Sequence, residues 1–134
     1  MLPIILNSIA NGGTTEMTVT GSSMRPLLKD RVSSVRLTKP DELKKGDIVL
    51  FENEDGHLVL HRIFRCDNGL YDMLGDNCRS PERSIPRERI IAKVCAYSRT
   101  GKKWKSDDPL YRFALPAIKK TVSLARRLKK RAAI

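Results

Sequence analysis

Three two-residue turn signals divide the middle of the chain into short extended pieces. Gly46-Asp47, Asp55-Gly56 and Asn68-Gly69 are pairs of residue types that tight turns select, because Gly, Asn and Asp tolerate the positive φ such turns need. The segments after them, residues 48–51, 57–64 and 70–74, read as strands. In residues 57–64 the period of two places His57, Val59, His61 and Ile63 on one face and Leu58, Leu60, Arg62 and Phe64 on the other. The two histidines therefore share a face, one at the solvated start of a hairpin and one deeper along it.

Flanking segments continue the pattern. Residues 16–20 have strand composition and lead into Gly21-Ser22-Ser23-Met24-Arg25-Pro26-Leu27-Leu28. Leu27 and Leu28 are expected to enter the core, and Lys29-Asp30 to turn. Alternation predicts a strand over 31–37, the polar stretch 39–45 with Pro40 is a connection, and 90–97 is a further strand. Residues 2–9 are apolar but far short of the roughly 20 residues a membrane span needs. They also lack the basic start and small-residue cleavage pattern of a secretory signal, so a short helix or packing segment is expected, broken by Asn11, Gly12 and Gly13, with synthesis in the cytoplasm. The sum is a mainly β protein, a compact and mostly antiparallel sheet domain over 14–98, with a packing segment at 1–13 and a basic helical extension at 99–134.

Composition matters here for what it excludes. With 134 residues the chain suits one domain with a modest core. Its 31% charged residues argue against a lipid-buried protein. Residues 1–98 carry 14 basic and 13 acidic side chains, whereas 99–134 carry 12 and 2, so the net positive charge belongs to the tail. Cys66, Cys78 and Cys95 are odd in number and lack the paired spacing of a structural zinc site, even with His57 and His61 added. Cys95 reads as core packing. With no glycine-rich phosphate loop either, no metal and no cofactor is expected.

The order Gly-x-Ser-Met-x-Pro at 21–26, Gly-Asp-Ile-Val at 46–49, His-Arg-Ile at 61–63 and Gly-Asp-Asn at 75–77 resembles the catalytic core of the signal peptidase I superfamily, which includes the self-cleaving repressor peptidases. The resemblance runs from about Met17 to Tyr97. It rests on four short motifs in the right order, any one of which would be weak alone, and it implies a signal-peptidase-like sheet domain with serine endopeptidase activity.

Carried over residue by residue, the resemblance makes Ser23, the serine before Met24, the nucleophile, with Ser22 as its competitor. The base position is a lysine in bacterial signal peptidases and repressor peptidases, and a histidine in the endoplasmic-reticulum and archaeal enzymes. Here it is His61, which resembles the Ser-His branch. A histidine titrates near neutrality without the desolvation a lysine base requires, while Arg62 stays protonated and suits a carboxylate contact. Asp76 is the expected orienting carboxylate. Relatives commonly carry further aspartates downstream, where this chain runs Cys78, Arg79, Ser80, Pro81, Glu82; if the downstream carboxylate is the orienting one, its role is unfilled or passes to Glu82. With Gly21 where some relatives have a serine donor, the Ser23 N–H is the simplest oxyanion donor, with a hydroxyl contribution from Ser22 in reserve.

The resemblance thus implies that His61 deprotonates Ser23, which attacks a peptide carbonyl, and that water activated by the same histidine resolves the acyl-enzyme. The substrate would be a leader or signal-like peptide bound as an extended strand. The alternative is a noncatalytic domain of the same fold that binds peptide, membrane surface or nucleic acid. In the tail, Trp104 sits among lysines, Asp107-Asp108-Pro109 can start a helix, and Ala114, Ile118, Val122, Ala125 and Leu128 recur at helical spacing beside a basic complement. Such a helix suits an anionic membrane surface, giving peripheral association, or a partner protein. Nucleic acid is a weaker expectation, since no recognisable module accompanies the charge.

Overall fold

The computed structural model describes residues 2–10 and 12–106. Helix α1 (Leu2–Ala10) precedes the strands β1 (Thr15–Thr18), β2 (Ser34–Thr38), β3 (Ile48–Glu52), β4 (Leu58–Asp67), β5 (Leu70–Leu74), β6 (Glu82–Pro86) and β7 (Ile90–Ser98), with a two-residue β8 (Lys105–Ser106). Seven strands lie in the spatial order β1-β2-β7-β3-β4-β5-β6, and β8 pairs with the end of β7. Each described pairing is antiparallel. The expected mainly β, antiparallel domain is therefore present. The expected tail helix beyond Asp107 lies outside the described residues.

β7 comes late in the chain yet inserts between β2 and β3, which makes β3 and β7 the middle of the sheet. Both faces of β3 are consequently covered. Ile48 and Leu50 join a cluster with Val35, Leu37, Ala92 and Tyr97, whereas Val49 and Phe51 join Ile63, Met73, Ile85 and Ile90 on the other side. This is the period-two geometry of a strand used twice, with no solvated face. α1 adds Ile5 and Ile9 to the first cluster, a spacing of four that puts both on one helix face.

The segment carrying Ser23 is not a strand. It leaves β1 through Val19, whose N–H donates to Ser33 O at 2.8 Å, and turns on the bonds from Arg25 N to Ser22 O and from Leu28 N to Met24 O. Met24, Leu27 and Leu28 enter the first cluster, as expected for the leucines. The strand predicted over 31–37 begins only at Ser34. The reason is Ser33, fully buried, whose hydroxyl accepts from Lys29 N and donates to Arg99 O, pulling 29–33 into a turn. Arg99 also donates to Leu27 O and Pro26 O, tying the serine segment to the end of β7.

β6 went unread in the sequence because it is polar and bounded by Pro81 and Pro86. Prolines of this kind are tolerated on an edge strand, and among the described residues β6 pairs only with β5. Its one core residue is Ile85.

Met24 is the apolar anchor of the serine segment, 1% exposed. Met24→Ala is expected to lower folding stability by about 2–5 kcal/mol, read as a fall in the urea midpoint with an unchanged m-value.

Candidate active site

β4 is where the site begins. Its pleat sends His61 to the face of the second cluster, opposite Val49 in the β3 register, and sends Arg62 to the other face. The imidazole packs against Phe51, with ring centroids 5.8 Å apart and tilted by 58°. His61 is 7% exposed, so little of the ring meets water. His57, at the hairpin, is exposed, and its N–H caps Asn53 Oδ1.

Arg62 builds the other side. Its Nε and Nη2 donate to Asp76 Oδ1 and Oδ2 at 2.9 and 3.0 Å, and Nη1 donates to Gly46 O at 2.7 Å. Both side chains are under 10% exposed, so this is a buried, bidentate, charge-assisted pair. Asp76, expected to orient the imidazole, therefore has both oxygens on the guanidinium. The carboxylate beside His61 is Glu82 at the start of β6, with Oε1 3.8 Å from Nδ1. Burial holds the Glu82 carboxyl above its ordinary range, and the nearby charges of Glu54 and Asp55 push it the same way. Glu82 also borders an open cavity of about 440 Å³ lined by Asn53, Glu54, Asp55, Pro81 and Arg83 among others.

The residues after β5 join Ser23 to this centre. Asn77 N donates to Ser23 O at 2.8 Å, and Asn77 Nδ2 donates to Ser22 O at 3.1 Å. Gly75 is required by close approach: a Cβ there would stand 2.7 Å from Ser23 O, 2.7 Å from Cys78 Sγ and 3.0 Å from His61 Cδ2. Three groups from three segments thus converge on one missing side chain. On the far side of the serine, Gly21 adopts φ +86° and its N–H donates to Asp30 Oδ1. Ser22 is exposed and Ser23 half-buried.

Of the residues anticipated from sequence, the Ser23 main-chain carbonyl and the His61 ring both border Gly75, while Asp76 is placed against Arg62. Cys78 was missed. Its Sγ lies 3.9 Å from His61 Nε2 and 3.9 Å from Ser23 O, and the available signal was its position one residue beyond the Gly-Asp-Asn turn. Cys95, read as core packing, is partly buried and its thiol donates to Arg36 O at 3.4 Å. Among the described residues no group of three His, Cys, Asp or Glu is placed to hold a metal ion, and no described helix is long and apolar enough to cross a membrane.

Asp76→Ala is expected to destabilise the fold by about 3–5 kcal/mol, because it leaves the Arg62 charge buried beside no carboxylate. Thermal or urea unfolding of the two proteins measures this directly.

The family model described as peptidase S24-like matches residues 3–95. No curated protein and no solved structure matches the chain significantly. The matched stretch covers more than half of the chain and includes β1 to β6, the serine segment, His61, Arg62, Asp76 and Glu82. The chain belongs to the peptidase S24-like family, which implies hydrolysis of the serine-peptidase type on a protein substrate.

Proposed function

We propose that the protein is a serine endopeptidase in which Ser23 is the nucleophile, His61 the general base and Glu82 the carboxylate that orients the base. The observation that carries this reading is the setting of the His61 ring: Nδ1 faces Glu82 at 3.8 Å, and the Cδ2 edge faces the Ser23 main chain across Gly75. A histidine presented this way needs only a hydroxyl on its Nε2 side to act as base. Family membership supports the serine chemistry, and the presence of histidine where a lysine would stand supports the Ser-His branch.

Each group has a defined task. Neutral His61 takes the Ser23 proton as the hydroxyl oxygen attacks the scissile carbonyl. The imidazolium so formed is stabilised by ionised Glu82, then returns its proton to the leaving amine. Water activated by His61 hydrolyses the acyl-enzyme. The Ser23 N–H serves as the main-chain donor for the oxyanion in this reading, and the Gly21 N–H is committed to Asp30. Arg62 and Asp76 do no proton transfer; they fix the strand and the loop on either side of the base.

The substrate is a peptide with an extended leader or signal-like segment, held by main-chain pairing at a sheet edge. The strongly basic residues 99–134 suit attachment to an anionic membrane surface or to a partner protein, which would place a cytoplasmic enzyme next to its substrates.

Incubation with a diverse peptide library at neutral pH, followed by mass spectrometry of new termini, is expected to show cleavage that falls roughly 10⁴- to 10⁶-fold in Ser23→Ala. Cleavage unchanged in that variant would overturn the assignment. Glu82→Gln tests the orienting role through the pH profile. The Glu82 carboxylate stabilises protonated His61, so its removal is expected to move the acid limb of kcat/KM to lower pH by up to about one unit while the plateau falls. An unmoved limb would show that Glu82 is not the partner of the base.

A further inference from the structure

The imidazole of His61 faces a second nucleophile. Cys78 Sγ stands 3.9 Å from Nε2 while Glu82 Oε1 stands 3.8 Å from Nδ1, so thiol, imidazole and carboxylate form a line in the order Cys-His-Glu. Cys78 does not reach this place by chance packing. The absence of a side chain at Gly75 is what admits it, since a Cβ there would lie 2.7 Å from Sγ. The Cys78 N–H donates to Gly75 O at 2.9 Å, closing the turn that presents the thiol. The side chain is partly exposed, as a reagent from solution requires.

We infer that Cys78 is a reactive thiol, activated by His61, and a modification site for hydroperoxides and other soft electrophiles. A thiolate is the nucleophilic form of cysteine, and a neighbouring imidazole that accepts the thiol proton raises its population near neutral pH. With a hydroperoxide, the Sγ proton passes to His61 Nε2 and the sulfur lone pair attacks the terminal peroxide oxygen. The O–O bond breaks, sulfur is oxidised to the sulfenic acid, and the departing alkoxide takes the proton from the imidazolium and leaves as an alcohol. The added oxygen then occupies the space between Sγ and Nε2, and a thiol reductant restores the starting form.

The other two cysteines are internal standards. Cys66 is exposed and has access without an imidazole. Cys95 is partly buried, and burial pushes its thiol up from the ordinary value.

The reactivity of the thiol does not rest on the reading of His61 as the base for Ser23. Timed alkylation of the full chain with iodoacetamide at pH 7, mapped by peptide mass spectrometry, is expected to modify Cys78 about tenfold faster than Cys66, although Cys78 is the less accessible. His61→Gln is expected to abolish that advantage. Cys78 reacting more slowly than Cys66 in the parent protein overturns the inference without any variant, as does a Cys78 rate unchanged by His61→Gln in a folded protein. Hydrogen peroxide with a sulfenic-acid trap should label Cys78 first among the three. Selective labelling of Cys78 in a protein that cleaves no peptide would uphold the thiol assignment and count against the peptidase reading alone.

Discussion

The buried pair between Arg62 and Asp76 is the constraint on which the site depends. It joins the middle of β4 to the loop after β5, and through Nη1 it also holds Gly46 O at the turn into β3. The same loop grips the serine segment, because Asn77 donates from its main chain to Ser23 O and from its side chain to Ser22 O. A strand, a turn and two loops are therefore registered by one guanidinium. Burying such a pair contributes little net stability, since desolvation offsets most of the attraction. What it contributes is position: Arg62 and His61 are adjacent on a pleated strand, so fixing one fixes the face presented by the other.

That arrangement explains why the site survives in a domain of modest size. The serine segment has no regular secondary structure of its own, and it is held by Met24, Leu27 and Leu28 in the core, by Arg99 at its end and by Asn77 at Ser23. Each contact comes from a different part of the chain. The apolar wall at Phe51 and the carboxylate at Glu82 flank the imidazole on further sides. A largely dehydrated histidine with a carboxylate near one nitrogen is the kind of group suited to proton transfer, and its other nitrogen lies 3.9 Å from Cys78 Sγ.

Much of this was legible in the sequence, and the failures have physical causes. Alternation in residues 57–64 correctly separated His61 from Arg62, because strand periodicity depends only on the pleat. Turn dipeptides at Asp55-Gly56 and Asn68-Gly69 marked the β3-β4 and β4-β5 connections for the same local reason. β6 was hidden because an edge strand needs few apolar residues, and with it the place of Glu82 was left open as an alternative to Asp76. The partner of Asp76 was not readable, since a motif gives residue order and not which of two neighbours on opposite faces a carboxylate will reach. The segment 31–33 was misjudged as strand because the buried Ser33 hydroxyl, bonded to a carbonyl 66 residues away in sequence, overrides local preference.

The central claim is that Ser23 is an activated nucleophile with His61 as its base. Labelling the protein with a fluorophosphonate at neutral pH and locating the adduct by peptide mass spectrometry tests it most directly, since such reagents form a stable bond only with a serine whose proton is being removed. The account predicts a single adduct on Ser23 that is lost in His61→Gln. An adduct on Ser22, or an intact and folded protein that takes up no label at all, would contradict it.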